Sequence, residues 1–407
     1  MAPEGAAVAA TNPSLAALTA AALALPGMTP PAEAGAPYEN VEMAFQYSHY
    51  QESQDRVHVD VYHGAFRAPV TGRVDLGANW IEDTWGGASP VLSVPASTPL
   101  VLSGASTLTI AKNDQPITDK RPVQIMSSAS PHETRRQQDF RAAYYFDDVA
   151  VELAGGQSNE PDWNSDLYRA ETLWDVNQKM TTLTLGFGFV TNNIHPTTRD
   201  IRKHNSERAV QLGLTHILDK QSLIQAGLSF TDATGFLSHP YKKVFIQNVG
   251  VIFDARPDHR QQWAFTSSYL RHFDFSDAAL QLDYRFYSDD WGIRAHTFEA
   301  AWRQPVGGGW MVTPRIRYHS QNEADFFAPY FLGLNSSGNY TSDYRLSGFG
   351  AISGGVSLGK RWFDRLSLDV GFEYYEHRSA LQLGGATVSS YADVSFYLVN
   401  AALKFEF

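Results

Sequence analysis

The chain contains no cysteine. Disulfide frameworks and cysteine–zinc sites are therefore excluded, and the absence fits an oxidising compartment. No long basic run occurs and the net charge is -11, which argues against a nucleic-acid partner. Charged residues make up only 18% and mean hydropathy is -0.29, too low for a helical membrane bundle. A membrane β-barrel is not excluded, because only alternate strand residues then face lipid. What the chain has instead is aromatic residues, 13% of the total, spaced in alternating runs.

The clearest run is the last one. Val399, Ala401, Leu403, Phe405 and Phe407 alternate with Asn400, Ala402, Lys404 and Glu406. Side chains on a strand have period two, so this segment has one apolar and one polar face. It resembles the closing strand of bacterial outer-membrane β-barrels. That resemblance implies that Val399, Ala401, Leu403, Phe405 and Phe407 form the signal read by the barrel-insertion machinery.

The same alternation recurs upstream. Apolar faces are predicted at Val41/Met43/Phe45/Tyr47, Val57/Val59/Val61 and Val74/Leu76/Ala78/Trp80. Others follow at Phe140–Phe146, Val149–Leu153, Leu183–Phe189, Val210–Leu214, Ile224–Phe230, Trp263–Tyr269 and Leu280–Phe286. The set continues through Phe298–Trp302, Trp310–Tyr318, Phe349/Ala351 and Leu366–Phe372, while 166–174 is less regular. Such segments suit the roughly 9–11 residues that cross a bilayer at a tilt. Residues 243–253 also read as a strand and would make the total seventeen. Counting back from a periplasmic C-terminus places 232–260 outside the cell, which turns 243–253 into a loop hairpin and leaves sixteen strands. An even count is the rule for such barrels. The expected fold is thus an all-β transmembrane antiparallel β-barrel of about 16 strands, with short periplasmic turns and long extracellular loops. The longest loops are expected near 82–136 and 232–260.

Before the barrel, the stretch Leu15–Leu25, followed by Pro26-Gly27 and Ala32-Glu33-Ala34, reads as a signal peptide over 1–34, leaving 35–407 as the barrel. No Lys or Arg precedes Arg56, which keeps a simple N-terminal extension open.

If the apolar faces meet lipid, the lumen receives Glu42, Asp60, Arg73, Asp75, Arg141, Glu152, Asp283, Arg285, Glu299, Arg303, Arg315, Arg317, Asp369, Glu373, Lys404 and Glu406. Two readings fit these charges. One is a salt-bridge lattice that stiffens the wall, with Arg285, Arg315 and Arg317 paired to carboxylates such as Asp283 and Glu299. The other is a selectivity ladder lining water. The strand-end tryptophans Trp80, Trp174, Trp263, Trp302 and Trp310 suit an interfacial girdle.

No catalytic residue, cofactor site or metal site is read from the sequence. Gly355-Val356-Ser357-Leu358-Gly359 matches a nucleophile elbow but lies in a strand with no following helix. Gly354–Lys360 resembles a P-loop, yet Arg361 replaces its Ser or Thr. His132-Glu133 lacks the second His of a zincin.

Four motifs carry a resemblance: Ser238-His239-Pro240-Tyr241-Lys242-Lys243-Val244, Arg256-Pro257-Asp258-His259-Arg260, Tyr284–Ile293 and Arg317–Phe327. With the Leu-Ala-Leu-Pro-Gly stretch they resemble the uncharacterised outer-membrane family called domain of unknown function 3570. The resemblance covers about 130–407 and the N-terminal stretch. It implies an Asp before Pro-Tyr-Lys, where this chain has His239, so an ion-binding role for that loop does not carry over. It also implies an association with a small lipoprotein and a flavoprotein of a redox system. The leading expectation is a pore or transport conduit in the bacterial outer membrane, in contact with its lipids and with the barrel-insertion machinery during biogenesis. The alternatives are a non-catalytic scaffold anchoring periplasmic or surface partners, and a membrane-embedded hydrolase.

Overall fold

The computed structural model describes residues 40–98, 100–103, 107–110, 118–126, 130–197, 199–363, 365–385, 391 and 393–407. The N-terminal stretch read as a signal peptide lies outside the described residues. Sixteen antiparallel strands close into one barrel. They are β1 (Glu42–Glu52), β2 (Val57–Thr71), β3 (Val74–Gly87), β4 (Ser130–Tyr145), β5 (Val149–Asn159), β6 (Trp163–Val176), β7 (Thr181–Ile194) and β8 (Lys203–Asp219). Then come β9 (Ser222–Gly235), β10 (His259–Phe273), β11 (Ala278–Asp289), β12 (Arg294–Gly307), β13 (Trp310–Gln321), β14 (Phe349–Trp362), β15 (Leu366–Arg378) and β16 (Val394–Glu406). Each strand pairs with its chain neighbours, and β1 pairs with β16 from Glu42↔Glu406 to Glu52↔Phe396, so no edge is left open.

The connections are short at one end of the barrel, and all the long ones lie at the other, together with the short turns 53–56, 160–162 and 290–293. At the end that holds both termini the connections are Gly72-Arg73, 146–148, 177–180, Lys220-Gln221, 274–277, Gly308-Gly309 and 363–365. At Gly309 the turn requires glycine: φ is +79° and an added Cβ would sit 2.7 Å from the Arg361 carbonyl oxygen. At the opposite end the connections include 88–129, 236–258, 322–348 and 379–393. Residues 243–253 form a hairpin of two short strands, Lys243–Ile246 and Gly250–Phe253, outside the barrel sheet, as the parity of the strands requires. The long loops are shorter than expected from sequence. Residues 82–87 and 130–136 extend β3 and β4, and 232–235 and 259–260 extend β9 and β10, because the strands project past the apolar zone and continue to pair.

The apolar residues point outward. Phe45, Phe140, Leu153, Phe187, Leu212, Phe265, Phe298, Ile316, Val356 and Phe372 are all exposed, which only a lipid environment makes favourable. Trp174, Trp263 and Trp310 stand exposed near strand ends, in the position of an interfacial girdle. Compact apolar packing occurs mainly at the long-loop end. There Ala233, Leu237, Trp291, Ile293, Ala324, Phe326 and Leu346 form one cluster, and Tyr50, Val59 and Leu398 another. A small cluster of Ala143, Tyr145 and Ala150 lies at the short-turn end.

Three sequence expectations about facing are corrected. In β2 the Val57/Val59/Val61 face is the inner one, and Tyr62 and Phe66 face out. Val59 faces inward because it packs with Tyr50 and Leu398 at the inner loop end. Asp60 accordingly points outward, where Tyr47 Oη donates to it over 2.7 Å and His49 Nδ1 lies at 2.8 Å. Phe349 and Ala351 also face inward, since the β14 register puts Ile352, Val356 and Leu358 on the exposed side. Arg73 is in a turn, not the lumen, and reaches Asp147 of the neighbouring turn at 3.0 Å.

Candidate functional site

The inner wall is polar because the outer wall is not: each apolar position on a strand puts its two neighbours inside. Paired registers place Asp283 and Arg285 on β11, Glu299 and Arg303 on β12, Arg315 and Arg317 on β13, and Asp369 and Glu373 on β15 on this inner face. These eight residues carry four charges of each sign. Arg315 has a different partner from those the sequence suggested. Arg315 reaches across β14 to Glu373, rather than to Asp283 or Glu299. The Arg285 guanidinium lies over the Tyr287 ring, 5.4 Å from its centroid. Glu299 stands opposite Arg317 in the register.

A second charged arc, only partly foreseen, runs from β16 to β6. Lys404 lies 3.0 Å from both Glu42 and Glu406. Arg141 lies 3.2 Å from Asp75 and 2.5 Å from Glu152, which also takes Arg169. Arg135 donates through Nε to Asp83 over 2.8 Å. Asp83 and Arg135 were missed because 82–136 read as loop. The strand-alternation rule assigns both inward once the strands are extended.

A knot of charge ties three loops together over the long-loop end. Asp343 accepts from Arg256 Nη2 at 2.9 Å and from Arg345 Nε at 2.9 Å, and Lys242 Nζ lies at 3.6 Å. Arg256 Nε also donates to Asp254 at 2.6 Å, and the backbone N–H of His239 donates to the same carboxylate at 2.9 Å. Lys242 Nζ donates to the Pro90 carbonyl oxygen at 2.7 Å, which brings in the loop after β3. Burial opposes ionisation of Asp343, but Arg345, Lys242 and Arg256 overcome it and hold the carboxyl well below its ordinary value. Burial pushes Lys242 the other way, down to about 8, against the pull of Asp343. His239 Nδ1 accepts from the backbone N–H groups of Tyr241 and Lys242, at 3.2 and 3.3 Å. In this chain His239 therefore shapes the turn that aims Lys242.

The four motifs singled out in the sequence converge here. Trp291 Nε1 donates to the His259 carbonyl at 2.9 Å, and Arg260 both donates to Asp289 and covers the Trp291 ring at 4.2 Å. Asn322 Nδ2 donates to the Gly292 carbonyl at 2.7 Å, and Trp291 packs edge-on against Phe326. Their chemistry is that of a brace between loops. Among the described residues no group of three or more His, Asp or Glu is placed to hold a metal ion. Ser357 sits within β14, paired on both sides, so the turn a nucleophile elbow needs is not formed there.

On β16, Val399, Ala401, Leu403 and Phe405 face outward, with Phe405 and the terminal Phe407 exposed and their rings stacked at 6.4 Å. The Phe407 N–H donates to the Val41 carbonyl at 2.9 Å, so the end of the chain is stitched to its first strand.

No curated protein matches the chain. Similar solved structures include a bacterial polysaccharide outer-membrane secretin, at 7% identity and TM-score 0.49, covering 90% of this chain and 98% of that one. OccD3 (OpdP) of Pseudomonas aeruginosa is similar at 10% identity and TM-score 0.45, covering 95% and 98%. The outer-membrane protein OpdK of the same organism is similar at 10% identity and TM-score 0.43, covering 90% and 99%. The profile of one family matches residues 15–209 and 199–398, and the chain belongs to that family, described as "Protein of unknown function (DUF3570)".

Proposed function

We propose that the protein is an outer-membrane pore that passes small hydrophilic solutes beneath a lid of extracellular loops. One observation carries this reading. A closed barrel of sixteen strands has an apolar outside and a charged, polar inside. A barrel of that size encloses a bore wide enough for water unless it is filled. Inner residues midway along the strands, including Asp283, Arg285, Glu299 and Arg317, retain partial solvent exposure, which supports a wet bore. The loop knot at Asp343 supports a lid that restricts the outer mouth. The test is solute entry into proteoliposomes made with the purified barrel, as the parent chain and as Asp343→Ala. Faster entry than into protein-free vesicles is expected, and faster still with the loop knot broken. Entry no faster than in protein-free vesicles, with folded barrel present in both cases, contradicts the reading.

A further inference from the structure

The inner wall is not uniform around the barrel. From β11 to β15 and from β2 to β6 every strand except β14 carries inward charge between its ends, while β16 and β1 carry it only near theirs. Across β7 to β10 the inward positions between 182–190, 209–215, 225–231 and 262–268 hold no Asp, Glu, Lys, Arg or His. They hold Thr, Ser, Gln, Gly, Ala and one Val. Exposure divides the wall in the same way. Away from the rims, the described inward residues that are exposed are Gln211, Gln225 and Thr266, all on this neutral arc. On the opposite side His63, Arg67, Asp75, Asp83, Arg135 and Gln137 face inward and are buried. The open water of the bore therefore lies against β8 to β10.

Two glycines shape this surface. Thr184, Gly213, Gly227 and Thr266 form one row across β7, β8, β9 and β10. A Cβ on Gly227 would come 2.6 Å from Thr266 Oγ1, and one on Gly213 3.1 Å from Thr184 Cβ. Any larger residue would displace the threonines. Their absence of side chains leaves a shallow groove flanked by hydroxyls, with amides just above and below.

We propose that the permeation path runs along this β7–β10 groove and favours uncharged, hydroxyl-rich solutes of the polyol and sugar class. The proposal rests on the pore reading above. Thr hydroxyls and Gln amides each donate and accept, so they can replace both kinds of water hydrogen bond that a polyol gives up. A charged solute finds no counter-charge on this wall. Elsewhere the eight charges named on β11 to β15 balance, four of each sign, and Glu42, Lys404, Asp75, Arg141, Glu152 and Arg169 are ion-paired, so these groups offer an ion little net attraction.

The experiment compares swelling rates of proteoliposomes in mannitol, gluconate and glucosamine, which are alike in size and differ in charge. Potassium chloride conductance is recorded on the same protein. The expected result is entry of mannitol several-fold faster than of either ion. Gln225→Glu and Thr266→Glu, separately and together, are expected to raise glucosamine entry and lower gluconate entry while leaving salt conductance open. Conductance with equal or faster entry of a charged solute would overturn this inference and leave the pore reading standing. So would Glu variants that conduct without a shift between the two ions. A folded protein with no conductance would overturn both.

Discussion

Arg256 donates to Asp343 over 2.9 Å across 87 residues of chain, and so binds the loop after β9 to the loop after β13. The carboxylate is shared with Arg345 and Lys242, and both members of the Arg256–Asp343 pair are almost wholly shielded from water. Removing one partner of such a buried pair costs about 3–5 kcal/mol, because the remaining charges are left uncompensated. Asp343→Ala is therefore expected to open the loops without unfolding the barrel. Proteolysis of intact cells should cut within 88–126 and 236–258 much faster in the variant, while the band of heat-modifiable barrel persists. Equal cleavage rates would show that this knot does not hold the lid.

The knot also responds to pH. Burial pushes Lys242 down to about 8 from its ordinary value of 10.5. Between those values the closed loops bind fewer protons than open ones, so closure strengthens as pH rises through that window and is flat below it. Asp343 acts in the same direction at the acid end: its stabilisation is present above the ordinary carboxylate value and lost as pH falls below it. Loop protection against protease, corrected for the enzyme's own pH profile, should be greater at pH 9.5 than at 7.5. Lys242→Met should abolish that difference. A decline in protection over the same range would show that Lys242 acts as a charged latch.

The two inner arginines should behave differently from each other. Arg315 pairs with Glu373, whose side chain is only 4% exposed. Arg303 makes no ion pair among the described residues. Arg315→Ala is expected to lower barrel stability by about 3–5 kcal/mol. Arg303→Ala should lie within about 0.5 kcal/mol of the parent. Guanidinium unfolding followed by gel mobility measures both. Equal losses would mean that the pair is not what matters.

Most of the barrel could be read from alternation, because a strand with lipid on one side and water on the other has a strong period of two. The loop hairpin at 243–253 was resolved only by counting strands. The errors have physical causes. Val59 and Phe349 are apolar yet inward, since both lie under the loops, where the inner surface is a dry core like any soluble protein's. Alternation shows that two faces differ but not which one meets lipid. The knot at Asp343 was invisible as a unit. Lys242 and Arg256 stand in the loop after β9 and Arg345 in the loop after β13 with Asp343, and only the barrel's closure brings the two loops to one carboxylate. The four family motifs pointed to that region, but their spacing did not say what they build.

Sidedness can be tested cleanly because the chain has no cysteine. Val249 is exposed in the loop hairpin and Phe275 in the turn between β10 and β11. An impermeant maleimide should label Val249→Cys on intact cells and miss Phe275→Cys until the membrane is permeabilised. The reverse pattern would invert the barrel in the membrane.

The most direct measurement is single-channel recording of the refolded barrel in a planar bilayer. A wet sixteen-strand bore with balanced charge should give discrete steps and a reversal potential close to that of an unselective pore. Asp343→Ala, which loosens the loop knot, should enlarge the steps or lengthen their open times. An electrically silent bilayer with the folded protein inserted, for both the parent and the variant, would contradict a pore.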